Sequence, residues 1–181
     1  MTYYTASMPL RRVCVLCGSG ASAPAEYAGT AARVGRLLAE NAIVVVHAGV
    51  FAEGGSGEGL LGALAGAALE AGGKVMGAPE DELAELCDGF LALPGGLETL
   101  DELFRLWGAD PPVERQKPCG LLNVADYYTT LLRSVDDAAV ERFVKETQRG
   151  MLIVDRDPAA LLLAMAEFRP PETRRRGPPD W

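Results

Sequence analysis

Phe90-Leu-Ala-Leu-Pro94-Gly95-Gly96-Leu97-Glu98-Thr99-Leu100-Asp101-Glu102-Leu103-Phe104 is the stretch that decides the fold. The apolar run Phe90 to Leu93 reads as a strand buried on both faces. Pro94-Gly95-Gly96 ends it, because proline lacks a ladder donor and glycine allows a tight turn. Leu97, Leu100, Leu103 and Phe104 then recur at helical spacing, which predicts a helix from Leu97 to Trp107. Glycine at a strand-to-helix turn lets backbone N–H groups approach an anion, and the helix start adds partial positive charge. The turn is therefore read as the edge of a nucleotide or nucleoside pocket.

The same unit repeats in both directions. Val13 to Cys17 predicts a first strand, followed by Gly18-Ser19-Gly20 and a helix with Pro24 in its first turn and Tyr27, Ala31, Val34, Leu37 and Leu38 at helical spacing. Ile43 to Val46 predicts a second strand closed by His47-Ala48-Gly49. The loop Glu53-Gly-Gly-Ser-Gly-Glu-Gly59 leads into an Ala/Leu-rich helix ending at Gly72-Gly73. Lys74 to Met76, Pro118 to Asn123 and Leu152 to Val154 predict further strands. A short acidic helix should follow the third strand, Tyr127 should begin another helix, and a last helix should follow the last strand. Near-continuously apolar strands alternating with helices predict a Rossmann-like three-layer α/β domain, a parallel sheet flanked by helices. One domain over 1–181 is expected, ordered over about 11–168, with loosely ordered ends. Such sheets bind ligands at the carboxyl ends of their strands. Three Gly-rich segments fall there: Gly18 to Gly20, Gly49 to Gly59, and Gly95-Gly96.

Composition narrows the partners. A formal charge of −8 argues against a nucleic-acid backbone, and the basic Arg174-Arg175-Arg176 in a Pro-rich tail reads as a solvated end. The apolar runs are too short to cross a membrane, and Met1 to Ser7 does not read as a secretory signal, so a cytoplasmic protein is expected. Cys14-Val-Leu-Cys17 has a redox or zinc spelling, but residues three apart on a strand point to opposite faces. With one histidine and no second such pair, Cys14, Cys17, Cys87 and Cys119 are read as buried free thiols. No metal or redox cofactor is implied.

The Pro94–Glu102 segment resembles the PGGxGTxxE signature of the LONELY GUY family, also described as possible lysine decarboxylases. Cys17-Gly18-Ser19 resembles that family's CGS turn, and Gly59-Leu60-Leu61-Gly62 its GLMG helix start. Lys117-Pro118-Cys-Gly-Leu-Leu-Asn123-Val-Ala-Asp-Tyr127-Tyr128 resembles its KPVGLLNVDGYY stretch, so the likeness covers about residues 12–165. The resemblance implies cleavage of the N-glycosidic bond of nucleoside 5′-monophosphates, without a cofactor, in a homodimer. It places Glu102 as the catalytic carboxylate, with Thr99 and the amides around Gly95 and Gly96 facing the 5′-phosphate. Gly18, Ser19, Gly49 and Pro94 would complete the lining. A carboxylate beside the anomeric carbon stabilises the positive charge that bond cleavage develops there, or activates water.

Three departures modify that expectation. Glu98 replaces the glycine of the motif's GT pair, where its carboxylate can cap its own helix and repel a phosphate. Glu98 and Glu102 are also spaced i and i+4, so that one carboxyl could raise the pKa of the other. Second, Gly77-Ala-Pro-Glu-Asp-Glu-Leu-Ala-Glu-Leu-Cys-Asp88 replaces a longer segment that carries MxxRK in the family, which leaves acids and no arginine. Arg105 or Arg115 could compensate. Third, His47-Ala48-Gly49 replaces the family's Tyr-Gly-Gly, with His47 open between acid–base chemistry and a strand-end role. Pro111-Pro112 interrupt a region where the family often has a longer helix, which bears on its dimer. The leading reading is an N-glycoside hydrolase acting on a small nucleotide or related ribosyl compound. A non-catalytic carrier of a nucleotide-like ligand is the second reading, and an enzyme for an unphosphorylated nucleoside the third.

Overall fold

The computed structural model describes residues 10–18, 24–49, 58–109 and 115–170. Ser19, most of the Gly-rich loop before Gly59, Pro111-Pro112 and the chain's two ends lie outside the described residues.

Six strands form one parallel sheet: β1 (Arg12–Leu16), β2 (Val44–Ala48), β3 (Val75–Ala78), β4 (Gly89–Ala92), β5 (Cys119–Leu122) and β6 (Leu152–Asp155), in the order β3-β2-β1-β4-β5-β6. Register pairs Val13 with Val45 on one side of β1, and with Gly89 on the other. Asp88 pins the start of β1 to that of β4, its Oδ2 accepting from Arg11 N and Arg12 N at 2.8 Å each.

Alternation along the strands sends side chains to two cores. Val13, Val15, Val45, Leu91 and Leu122 pack under α1 (Ala25–Glu40), α2 (Gly59–Glu70) and α7 (Pro158–Ala166). Cys14, Leu16, Val46, Phe90 and Leu121 pack under the opposite layer, made by α3 (Leu83–Leu86), α4 (Leu97–Gly108), α5 (Thr129–Val140) and α6 (Glu146–Met151). This is the expected three-layer α/β architecture. Cys14 and Cys17 pack into opposite cores, as the strand period requires. Cys14, Cys87 and Cys119 are buried free thiols, whereas Cys17 is only half-buried. Among the described residues, no group of three or more His, Cys, Asp or Glu stands close enough to hold a metal ion, and no helix is long and apolar enough to cross a membrane.

Two local readings are corrected. Tyr127 does not begin a helix: a 3-10 turn spans Val124–Asp126, and Ala125 and Asp126 take φ of 48° and 60°. The Asn123 carboxamide holds this turn, accepting from Tyr128 N at 2.8 Å and donating to Thr129 Oγ1 at 3.1 Å, so α5 starts only at Thr129. The helix α6 was not foreseen, because its six residues bury Met151 alone and present no periodic face. Pro24 occupies the N-cap position of α1 rather than its first turn.

Candidate functional site

Strand order reverses at β1, whose neighbours β2 and β4 are reached by connections on opposite faces of the sheet. A doubly wound sheet binds its ligand in the crevice outside the carboxyl ends at this switch point. The turns leaving β1 and β4 meet there. Leu93 N donates to Leu16 O at 2.8 Å and Gly18 N to Pro94 O at 3.1 Å, while Leu60 N, in the first turn of α2, donates to Gly18 O at 3.1 Å. The approach leaves no room for side chains. A Cβ on Gly95 would overlap the Thr99 hydroxyl and lie 2.8 Å from Gly18 N. Gly95 is therefore required at this crossing, whereas a Cβ on Gly18 would make a tight contact 3.3 Å from Gly95 Cα.

Two tyrosines brace the turn from β5's far end. Tyr128, buried, donates from its hydroxyl to Leu93 O at 2.5 Å, and Tyr127 donates to Gly95 O at 2.5 Å. Their rings meet edge to face with centroids 4.9 Å apart. The Lys117–Tyr128 stretch singled out in the sequence thus reaches the turn after β4 through the two tyrosines.

Above the crossing lies a cleft of about 490 Å³. Its floor is Leu16, Cys17, Ala48 and Gly49, and α4 supplies Glu98, Thr99, Asp101, Glu102 and Arg105 along one wall. His47 and Glu80 complete the charged lining. Gly49 takes a φ of 92° and its N–H is used by Ala78 O at 2.9 Å, which ties the end of β2 to β3. Of the residues expected at the site, Gly49, Glu98, Thr99 and Glu102 line this cleft, and Gly18, Pro94 and Gly95 form the backbone crossing beneath it. Gly96 is the exposed N-cap of α4, and Ser19 lies outside the described residues.

Glu102 is not a freely solvated helix residue. Its side chain is 18% exposed, and Arg105 Nη2 stands 3.6 Å from its Oε1. Burial pushes its carboxyl above the usual range; Arg105 opposes that shift, while Glu80 and Asp101 add to it. The charges that raise it are thus those of Glu80 and Asp101, and the expected role of Glu98 in this is corrected. Glu98 is exposed and does not cap its helix: α4 begins without a side-chain cap. Glu98 extends from the first turn toward water, so its carboxylate is left as a charge on the cleft wall.

Arg105 occupies the cleft, whereas Arg115 lines a separate cavity of about 540 Å³ against Phe90, Trp107 and Met151. Of the two arginines considered as replacements for the missing segment, only Arg105 reaches the site. His47 is buried, its Nδ1 lies 2.7 Å from Ala48 O, and burial lowers its pKa, which favours the neutral ring. Cys17 also borders the cleft; burial and the charge of Glu102 push its thiol up to about 12, so it stays protonated at neutral pH. Glu80 and Asp101 were missed in the sequence. Position alone could have flagged Glu80, since it follows the carboxyl end of β3 by two residues.

A doubly wound parallel sheet with an acidic cleft at its switch point defines a Rossmann-like α/β protein. Within that class, the family model described as possible lysine decarboxylase matches residues 76–165. A probable cytokinin riboside 5′-monophosphate phosphoribohydrolase of Oryza sativa subsp. japonica is 33% identical over 89% of this chain and 74% of its own length. A cytokinin riboside 5′-monophosphate phosphoribohydrolase of Rhodococcoides fascians is 32% identical over 86% of this chain and 89% of its own. The chain belongs to this LONELY GUY family. The molybdenum cofactor carrier protein of Chlamydomonas reinhardtii shares the fold, with a TM-score of 0.62 at 16% identity over 87% of this chain and 97% of that one.

Proposed function

We propose that this chain is an N-glycoside hydrolase that releases the free base from a small ribosyl compound, with Glu102 as its catalytic carboxylate. The observation that carries this is the placing of Glu102: half-sunk in the switch-point cleft, one turn inside the helix that follows Pro94-Gly95-Gly96, beside the positive charge of Arg105. Family membership supplies the reaction class, since the relatives are phosphoribohydrolases.

The chemistry is a hydrolysis. The C1′–N bond breaks and its electron pair leaves on the base nitrogen; water delivers hydroxide to C1′ and its proton ends on the base. Ionised Glu102 faces the positive charge that grows on the ribosyl ring and accepts the proton of the attacking water. Arg105 opposes the effect of burial and favours the ionised form of Glu102. Neutral His47 and the Gly49 edge border the space where the base sits, and Gly18, Pro94, Gly95, Gly96 and Thr99 hold the ribosyl end. One domain spanning the chain carries all of this, in the cytoplasm; four unpaired cysteines fit a reducing compartment. The working form is a homodimer, a reading that draws on the exposed Leu97 and Phe104 along α4.

The test is release of free base, followed by chromatography, from nucleosides and their 5′-monophosphates. Glu102→Gln should lower kcat by about 10²–10⁴-fold while leaving the fold intact. Turnover that survives this substitution removes Glu102 from the mechanism. Ligand binding without any turnover of the wild-type chain would instead make it a carrier.

A further inference from the structure

We propose that the cleft selects N-ribosyl compounds that carry no 5′-phosphate, that is, nucleosides rather than nucleoside 5′-monophosphates. The inference rests on the hydrolase reading above and names its substrate class. Among the described residues, four carboxylates line the cleft: Glu80, Glu98, Asp101 and Glu102. They face one cation, Arg105, and Arg105 is already engaged with Glu102 at 3.6 Å. With His47 neutral, the lining carries a formal −3, from four negative charges and one positive.

The sequence on either side of the lining residues holds few cations. Between Arg36 and Lys74, and again between Lys74 and Arg105, the sequence contains no lysine or arginine. The same holds between Arg12 and Arg33. The sequence before α1 and before α2 belongs to these stretches. Arg115 lies in the other cavity. Lys117 is spent on the end of α3, donating to Ala84 O at 2.7 Å and Cys87 O at 2.6 Å.

At roughly 6 Å and a water-like dielectric, one carboxylate facing a phosphate dianion weakens its binding by about tenfold. Glu98, in the first turn of α4, leaves its charge on the cleft wall beside the helix start, where a phosphate would otherwise be received. A nucleoside meets none of this repulsion, and one with a cationic base is attracted. The reaction itself is unaffected, because the 5′ oxygen takes no part in breaking the C1′–N bond.

The experiment compares kcat/KM for adenosine with adenosine 5′-monophosphate, and for nicotinamide riboside with nicotinamide mononucleotide. In each pair the nucleoside should lead by tenfold or more at low salt, with the margin shrinking as ionic strength rises. Glu98→Gln should narrow the nucleoside-to-monophosphate ratio by about tenfold, and Glu80→Gln, a second exposed position, should narrow it in the same direction. Equal or better use of the monophosphates overturns the proposal. Calorimetric titration of the same four compounds separates it from the hydrolase reading. Tighter nucleoside binding without base release keeps the specificity and refutes the hydrolysis, whereas tighter monophosphate binding, or no binding of any of the four, overturns the specificity.

Discussion

Burial and Arg105 act in opposite directions on the carboxyl of Glu102, the residue on which the proposed hydrolysis depends. The proposed role needs Glu102 ionised, and burial holds its pKa above the ordinary glutamate value. Activity should therefore rise with pH through a limb displaced to higher pH than a solvated glutamate would show. Arg105 lowers that pKa, so Arg105→Ala should move the limb further up. A profile of kcat/KM against pH reads both, and an unshifted limb in Arg105→Ala would separate the pair. Tyr128 acts at the same scale but on structure. Removing its hydroxyl in Tyr128→Phe strands Leu93 O inside the protein, which should cost about 1–3 kcal/mol in denaturant unfolding.

Elements meet here through glycine. Gly35 of α1 lies against the Leu64 carbonyl of α2, with Leu64 C only 3.0 Å from where a Cβ would sit. Gly35→Ala should therefore cost about 1–3 kcal/mol by forcing the two helices apart, far from the cleft. Gly95→Ala forces a similar clash, but on Thr99 and Gly18 N, so it should cost stability and ligand affinity together. Unfolding curves set beside binding curves distinguish the two substitutions. The reading of elements from sequence succeeded where strands are continuously apolar, as in Phe90–Leu93, and helices carry a clear stripe, as in α1. It failed at Tyr127 and α6, where side-chain hydrogen bonds from Asn123 and a single buried methionine decide the backbone. Neither leaves a periodic trace.

Over the whole molecule, α4 joins site and surface. Thr99, Leu103, Leu106 and Trp107 are buried, Glu98, Asp101, Glu102 and Arg105 line the cleft, and Leu97 and Phe104 stand 85% and 42% exposed. If these two cover a second copy in the proposed homodimer, Leu97→Glu and Phe104→Glu should each shift the species seen in light scattering from dimer to monomer. A wild-type monomer would remove the dimer from the functional reading.

The sequence by itself determined the parallel α/β fold and the Gly-rich turns at the carboxyl ends of its strands, and its motif pointed to Glu102, because burial patterns, turn chemistry and a contiguous motif are local properties of the chain. Only the tertiary structure decided which charges share the cleft. Glu80 arrives from the end of β3 and Asp101 from α4, and Arg105 rather than Arg115 faces Glu102. That convergence depends on strand order and helix placement, and electrostatic interaction depends on distance in space rather than along the chain.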